Sequence, residues 1–268
     1  MSHALYHAES SAERHGGTPD DYLALHALMD APQLHVRMPS VRGRAVFHHT
    51  WGIELCARLF ARGANGTLSL REQLPADMRG QSLDATARAV ADGHVQEDLR
   101  DVPTLDNWLA VLTPPGCIET NAHIPTADQA LLSSAHYGGN PECYAPIHEL
   151  LDTPSRHATI GNAGAATALL HNTFGIALCE TVFGHYIVVG EEGERQRIPT
   201  RYIARAHIER ECGRLVPTLD ACLAGLKTLP WMGGRARALS RRSGAGRLRE
   251  GDVEPQSQTP AVAGANQE

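Results

Sequence analysis

Apolar positions recur at helical spacing along most of the chain, with polar residues between them. The pattern predicts an amphipathic helix over 2–14 and a second over 20–30. The longest helix is expected over 42–62, where apolar residues form one broad face. A further helix carries His94, and a short one begins at the capping residue Thr104. The chain is therefore predicted to be mainly α-helical.

The same order of elements occurs twice, because the chain contains an internal repeat. Three blocks of the first half return in the second, in the same order: 16–22 (GGTPDDY) as 138–144 (GGNPECY), 47–56 (FHHTWGIELC) as 170–179 (LHNTFGIALC), and 94–106 as 207–220. Matched blocks in one order indicate a tandem duplication. We therefore predict a mainly α fold of two homologous helical halves related by an approximate two-fold axis.

Each half is expected to contain a small β-hairpin or a loop insertion. In the second half, segments 186–189 and 196–199 flank a Gly-rich turn and predict a hairpin. In the first half only 67–70 has the character of a strand. The predicted division of the chain is a first copy over 1–115, a linker over 116–129, a second copy over 130–232 and a disordered Arg-, Gly- and Pro-rich tail over 233–268.

The charge and the apolar content of the chain limit the kinds of partner that we expect. The 268 residues include 30 acidic and 24 basic side chains, a net charge of −6, so nucleic acid is an expected partner only weakly, through the Arg-rich tail. No apolar run is long enough for a membrane span, and the N-terminal residues do not resemble a secretion signal. We expect a cytoplasmic protein with reduced thiols. Partners are otherwise unknown, and association of the chain with copies of itself stays open.

Histidine is the unusual component, with fifteen His against a single Lys. Both halves keep a His and an acid four residues apart, twice. The four pairs are His26 and Asp30, His148 and Asp152, His94 and Asp98, and His207 and Glu211. Because four residues make about one helical turn, each pair can present an imidazole and a carboxylate on one face.

Imidazoles and carboxylates from several helices suit a site for Zn, Mn, Fe or Ni. The candidate ligands are His26, His35, His48, His49 and His94 in the first half, and His148, His157, His171, His207 and Glu211 in the second. Glu54 and Asp98 are candidate catalytic residues, as ligand or base, in a hydrolase that activates a metal-bound water. If His49 and Glu54 complete the first site, the second has fewer ligands, because Asn172 and Ala177 replace them.

Two metal-free interpretations stay open. A His and an Asp at this spacing can form a buried hydrogen-bonded network that only specifies the core. The imidazoles could also perform acid–base chemistry without a metal. The residues thus leave open whether the protein is an enzyme, and a non-catalytic interaction or assembly protein is the alternative function.

The repeated blocks also resemble a known sequence pattern. In the first half the matching residues are Tyr6-His7, 16–22, His26, His48-His49, His94, Glu97-Asp98 and Pro103; in the second they are 138–144, His148, His171, His207, Pro217 and Pro230-Trp231-Met232. This pattern is similar to that of an uncharacterised His-rich domain of bacterial and phage genomes, a domain of unknown function. The resemblance covers nearly the whole chain before the tail. It implies a compact domain in each half and carries no activity.

Overall fold

Helices account for most of the structure. The computed structural model describes residues 2–37, 41–71, 83–119, 123–159, 162–190, 195–213 and 215–233. The helices of the first half are α1 (Ser2–His15), α2 (Asp20–Asp30), α3 (Val41–Arg44), α4 (Thr50–Leu59), α5 (Ala85–Leu99) and α6 (Leu105–Leu109). Those that follow are α7 (Gly116–Glu119), α8 (Thr126–Tyr137), α9 (Ala145–His157), α10 (Ala163–Ala168), α11 (Thr173–Phe183), α12 (Thr200–Cys212) and α13 (Leu219–Leu223). None of the described helices combines the length and the apolar character that a bilayer crossing needs.

Side-chain caps start several of these helices. Asp84 Oδ1 accepts hydrogen bonds from the backbone N–H groups of Thr86 and Ala87 at the start of α5, both at 2.9 Å. Thr104 and Asn107 form a capping box at α6, and Thr218 caps α13. These caps satisfy N–H groups that have no partner within the helix. The predicted short helix after Thr104 is confirmed.

The single long helix predicted over 42–62 is wrong, because the chain turns between α3 and α4. His49 is extended there, with φ −164° and ψ 174°. Gly52 lies so close to the preceding turn that a Cβ would approach the Phe47 carbonyl oxygen to 2.0 Å. The second half repeats the break between α10 and α11, where a Cβ on Gly175 would meet the Leu170 oxygen at 1.8 Å. A tight reverse turn at glycine thus replaces continuous helix in both halves.

Each half contains one short antiparallel hairpin. In the second half, β3 (Tyr186–Val189) pairs with β4 (Gln196–Pro199), which confirms the predicted hairpin. In the first half, β1 (Phe60–Arg62) pairs with β2 (Leu68–Leu70), with Phe60 opposite Leu70. The strand predicted at 67–70 is therefore present. Its partner β1 lies at the end of the segment predicted as helix, because the apolar residues there fit either period.

The two halves share one core and are related by a pseudo-two-fold axis. Leu112 forms an isolated antiparallel bridge with Leu226, its own counterpart in the repeat. Flanking contacts are reciprocal, since the backbone N–H of Arg37 contacts Asp220 Oδ1 and that of Thr159 donates to Asp106 Oδ1. A self-paired contact flanked by reciprocal ones is the signature of an isologous interface. The predicted two-fold arrangement is confirmed.

The segment assigned to the linker, 116–129, contains α7 and the first residues of α8. Helix α8 is the counterpart of α1 in the repeat, and it begins at Thr126. Residues 234–268 lie outside the described part of the chain. The expected disorder and Arg-rich contacts of the tail therefore remain predictions.

Candidate metal centre

Three segments of the first half bring four polar side chains together. Asp30 is the last residue of α2, His48 lies in the turn before α4, and His94 and Asp98 lie one turn apart on α5. Helix α5 packs against both α2 and α4. The break between α3 and α4 thus matters for the site, because it places His48 over α5.

The donor atoms of these four side chains converge. One nitrogen or oxygen from each of Asp30, His48, His94 and Asp98 lies within 4.8 Å of all the others. The Nε2 atoms of His48 and His94 are 3.0 Å apart, and His48 Nε2 is 3.0 Å from Asp98 Oδ2. Asp30 Oδ1 lies 3.6 Å from His94 Nε2 and 3.9 Å from His48 Nε2. We call these four residues the first cluster.

The second half builds the same arrangement from α9, α12 and the turn before α11. The donor atoms of Asp152, His171, His207 and Glu211 also lie within 4.8 Å of one another. The two Nε2 atoms are 2.9 Å apart, and His171 Nε2 is 3.0 Å from Glu211 Oε2. Asp152 Oδ1 lies 3.2 Å from His207 Nε2 and 3.7 Å from His171 Nε2. We call this set the second cluster. The longer Glu211 side chain reaches the same place as Asp98.

His26 and His148, which were predicted as ligands, stand behind the clusters and are not among their donor atoms. His26 Nδ1 lies 3.0 Å from Nδ1 of His94, and its Nε2 lies 2.9 Å from Ser11 Oγ. In the second half His148 bridges His207 and Ser133 at 3.0 Å on both sides. Asp30 and Asp152, one turn further along the same helices, reach the clusters instead. The chain from Ser through His orients the clustered imidazole and fixes which nitrogen faces the site.

The acid on α5 has charged neighbours. Arg44 Nη2 lies 2.8 Å from Asp98 Oδ2, and His7 Nε2 lies 3.4 Å from Asp98 Oδ1. His7 Nδ1 is held by Glu97 Oε2 at 2.7 Å. Burial opposes protonation of His7, but its contacts with Asp98 and Glu97 prevail and raise its pKa.

Neutral and backbone groups replace most of these contacts around the second cluster. Gln129, the counterpart of His7, donates from Nε2 to Glu211 Oε1 at 3.3 Å, and the backbone N–H of Ile124 donates to the same oxygen at 3.0 Å. Arg210, the counterpart of Glu97, donates to Gln129 Oε1 at 2.6 Å. The exposed His123 also lies 3.2 Å from Glu211.

Burial sets the protonation of the imidazoles. It lowers the pKa of His94 to about 4, and burial together with the neighbouring His94 lowers that of His26 to about 2. Burial likewise lowers the pKa of His148 to about 3 and also lowers that of His207. These four rings are neutral near pH 7, so each has a lone pair available.

The carboxyl groups remain ionised in the same surroundings. Burial alone would raise the pKa of Asp98, but hydrogen bonds with His48 and His7 and the charge of Arg44 hold it well below its usual value. Burial is also outweighed at Glu211, where contacts with His171 and His207 lower the pKa to about 2. Neutral imidazoles and ionised carboxylates are the protonation states in which these groups bind metals.

His49 is not part of the first cluster, which corrects its prediction as a ligand. Its Nδ1 accepts from the backbone N–H of Gly52 at 3.3 Å, and it is the N-cap of α4. Asn172 caps α11 in the same way and accepts from Phe174 and Gly175. The exchange of His for Asn therefore preserves a cap. The second site was expected to have fewer ligands only if His49 and Glu54 completed the first; neither is in the first cluster, and both clusters have four donors.

Three other candidates lie away from the clusters. His35 ends a short 3₁₀ helix and its ring lies 5.1 Å from that of Phe174, at the contact between the halves. His157 is the exposed last residue of α9. Glu54 pairs with Arg58 and Arg88 at 3.4 and 2.9 Å on the surface of α4. The structure therefore does not bring His35 and His157, predicted as ligands, or Glu54, predicted as a catalytic residue, into either cluster.

The sequence prediction missed the carboxylates of Asp30 and Asp152 as cluster members. The sequence did contain an indication, because each of these Asp residues follows a His by four positions. Spacing alone, however, does not tell whether the His or the Asp of such a pair faces the site. It also missed Ser11 and Ser133, which had no recognisable pattern. Asp98, His48, His94, His171, His207 and Glu211 were predicted and do converge.

Fold and side chains together define a helical tandem repeat with one buried His and carboxylate cluster in each repeat. A family model described as a domain of unknown function (DUF6915) matches residues 2–117 and, a second time, residues 125–232. The chain belongs to this family and carries two copies of its domain. No curated protein and no solved structure gives a significant match.

Proposed function

We propose that the protein binds one divalent transition-metal ion in each half. The ligands are the first cluster, Asp30, His48, His94 and Asp98, and the second cluster, Asp152, His171, His207 and Glu211. The observation that carries the proposal is the convergence of two imidazole nitrogens and two carboxylate oxygens on one point, built twice from the same positions of a repeat.

The spacing of the donor atoms supports a metal. Ligands bonded at about 2.0–2.2 Å in a tetrahedral site lie about 3.3–3.6 Å from one another. The distances from the two Nε2 atoms of the first cluster to each other and to the nearest carboxylate oxygens run from 3.0 to 3.9 Å. In the second cluster they run from 2.9 to 3.7 Å. A cation between these atoms would be within bonding reach of each with little movement.

Proton counting also favours a cation over a hydrogen-bonded network. A neutral imidazole has a hydrogen on only one of its two nitrogens, and two Nε2 atoms can approach each other at hydrogen-bond distance only if one of them is a bare lone pair. These atoms are 3.0 Å apart in the first cluster, and two ionised carboxylates face them. Asp30 Oδ2 and His48 Nδ1 are buried and have no hydrogen-bond partner in the described residues. A divalent ion would use the converging lone pairs at once and neutralise both carboxylates.

The donor set narrows the metal to a class. Two imidazoles and two carboxylates suit Zn, Mn, Fe or Ni, and they do not select copper(I), which prefers sulfur. Cys56 and Cys179 are buried among apolar residues, and burial raises the pKa of the Cys56 thiol to about 12. These thiols therefore serve packing.

The test is metal analysis of protein produced without a His tag. We expect two ions per chain after loading with Zn²⁺, one in His48→Asn and one in His171→Asn, and none in the double variant. His136→Asn is the matched control, because His136 is exposed and contacts only the neighbouring Tyr137 ring among the described residues. Absence of bound metal in the wild type, with a melting temperature unchanged by Zn²⁺ and by chelator, would remove the proposal.

A metal-free structural network is the second candidate, within an interaction or assembly protein. This second function is favoured by the chain of hydrogen bonds from Ser11 through His26 to His94, which is repeated in the second half. Buried chains of this kind can specify a unique core. It predicts that His48→Asn lowers the melting temperature equally with Zn²⁺ and with chelator. A melting temperature that depends on metal in the wild type and less so in the variant separates the two functions.

A further inference from the structure

The two clusters differ on the side of their first carboxylate. Asp152 Oδ2 accepts a hydrogen bond from Thr126 Oγ1 at 2.6 Å, and Arg156 donates in turn to the Thr126 hydroxyl. This leaves Asp152 with no exposed surface. A second half that binds a metal would thus hold Asp152 in place with its own side chains.

The first half lacks this support. Ala4 on α1 stands at the position that corresponds to Thr126, by the same spacing that relates Ser11 to Ser133, and Leu34 replaces Arg156. Neither can donate a hydrogen bond. Asp30 accepts from Gln33 among the described residues, at Oδ1 and 3.0 Å, and its outer oxygen Oδ2 has no partner. In Asp152 the outer oxygen Oδ2 is the one that is held, and Oδ1, which has no hydrogen-bond partner, faces the clustered histidines. Its side chain is 14% exposed, whereas that of Asp152 is 0% exposed.

A carboxylate oxygen without a donor is costly in a protein interior, and such groups mark places where water or a ligand completes the site. Ala4 is smaller than Thr by a hydroxyl and a methyl group, so the hydroxyl that holds Asp152 has no counterpart at this position of the first half. Asp30 Oδ1 also lies further from the clustered His Nε2 atoms than Asp152 Oδ1 does, at 3.6 and 3.9 Å against 3.2 and 3.7 Å. The first cluster is therefore the looser one on this side.

We propose that the first cluster, when it holds its metal through its four protein donors, keeps a fifth coordination position on the side of Asp30 and Ala4 for an external oxygen- or nitrogen-donor ligand, whereas the second cluster stays four-coordinate and closed. This inference rests on the metal-binding function proposed above. A metal site that can add water or substrate, if necessary by expanding from four to five ligands, is the reactive kind, and a site that admits only its protein ligands is structural. The first half is then the reactive centre, with Asp30 Oδ2 accepting a hydrogen bond from the bound water, and the second half stabilises the fold.

Cobalt and azide provide the test. Co²⁺ takes the place of Zn²⁺, and its visible absorption changes when a ligand is exchanged. In His171→Asn, which keeps only the first cluster, we expect azide to shift the cobalt spectrum. In His48→Asn, which keeps only the second, we expect no shift. In the wild type azide should then change the signal of half of the bound cobalt, which tests the proposal even if a single-cluster variant does not fold.

Exchanging the residues that differ supplies the second arm. Ala4→Thr in the His171→Asn background should abolish the azide response, and Thr126→Ala in the His48→Asn background should create one. Glu13→Thr, on the exposed face of α1, is the control and should change neither. Cobalt bound in both halves with an azide response in both, in neither or in the second alone overturns this inference and leaves the metal-binding function standing. A chain that binds no cobalt refutes both.

Discussion

Asp98 of the first cluster is contacted by Arg44 and His7, whereas Glu211 of the second is contacted by Gln129 and the backbone of Ile124. The two imidazoles and the acid on α5 or α12 nevertheless have nearly the same spacing in both halves. The supporting His and Ser behind them are also kept. The metal donors and the His and Ser residues that orient them are therefore retained together in both halves, while the groups around the carboxylates differ between the halves.

Substitution of the glycine in the turn before α4 or α11 tests whether this turn, which both halves contain, positions the clusters. Gly52→Ala and Gly175→Ala should each destabilise the protein by about 3 kcal/mol or more, because the new Cβ would lie 2.0 or 1.8 Å from a backbone oxygen. Urea unfolding measures the loss. Gly116→Ala is the control, since a Cβ there meets nothing within 4 Å. A loss below about 1 kcal/mol in either half would contradict the view that the turn fixes the cluster.

The supporting histidines should matter equally in the two halves. His26→Gln and His148→Gln should each weaken metal binding at their own cluster about tenfold to a hundredfold, because the clustered imidazole loses the group that orients it. Isothermal titration with Zn²⁺ in the matching single-cluster background gives the affinity. His49→Asn is the comparison variant, and it should leave the affinity unchanged. Equal affinities of His26→Gln and its parent would show that this histidine only fills space.

Acid should destabilise the metal-free protein through both halves. The pKa of His26 is lowered to about 2 and that of His148 to about 3, so both rings stay neutral in the folded state at pH 5. In the unfolded chain they bind protons below about pH 6.5. For each ring, the free energy of unfolding should therefore fall by up to about 2 kcal/mol when the pH is lowered from 7 to 5.

Thermal unfolding of the apoprotein across this range measures the change. His26→Gln and His148→Gln should each flatten the pH dependence by a similar amount. A melting temperature that is constant or rises on acidification would show that these rings are protonated in the folded state.

The smallest change in stability is expected from exchanging His49 and Asn172, although the two halves differ visibly at this position. His49→Asn and Asn172→His exchange one N-cap for the other, so stability should change by less than about 1 kcal/mol and both metal ions should remain. His49→Ala and Asn172→Ala remove the cap and should cost about 0.5–2 kcal/mol. Loss of a metal ion in His49→Asn, measured by metal analysis, would show that His49 is a ligand of the first cluster.

The duplication could be read from the sequence, because matched blocks survive in order, and with it the helical halves and the pairing of His with acid. Which of two adjacent residues faces the site could not. His48 and His49 differ in role only because the chain turns between them, and that turn depends on the approach of Gly52 to Phe47. Likewise, whether His26 or Asp30 reaches the cluster depends on how α2 packs against α5, which no local pattern encodes.

The bridge between Leu112 and Leu226 joins a residue to its own copy. A relative with a single copy of this domain could form the same contact with a second molecule, so the chain has the organisation of a homodimer fused into one polypeptide. Fusion removes the constraint that both subunits carry the same sequence. One half can then specialise in chemistry while the other serves as its permanent scaffold, a division of labour that a symmetric dimer cannot reach.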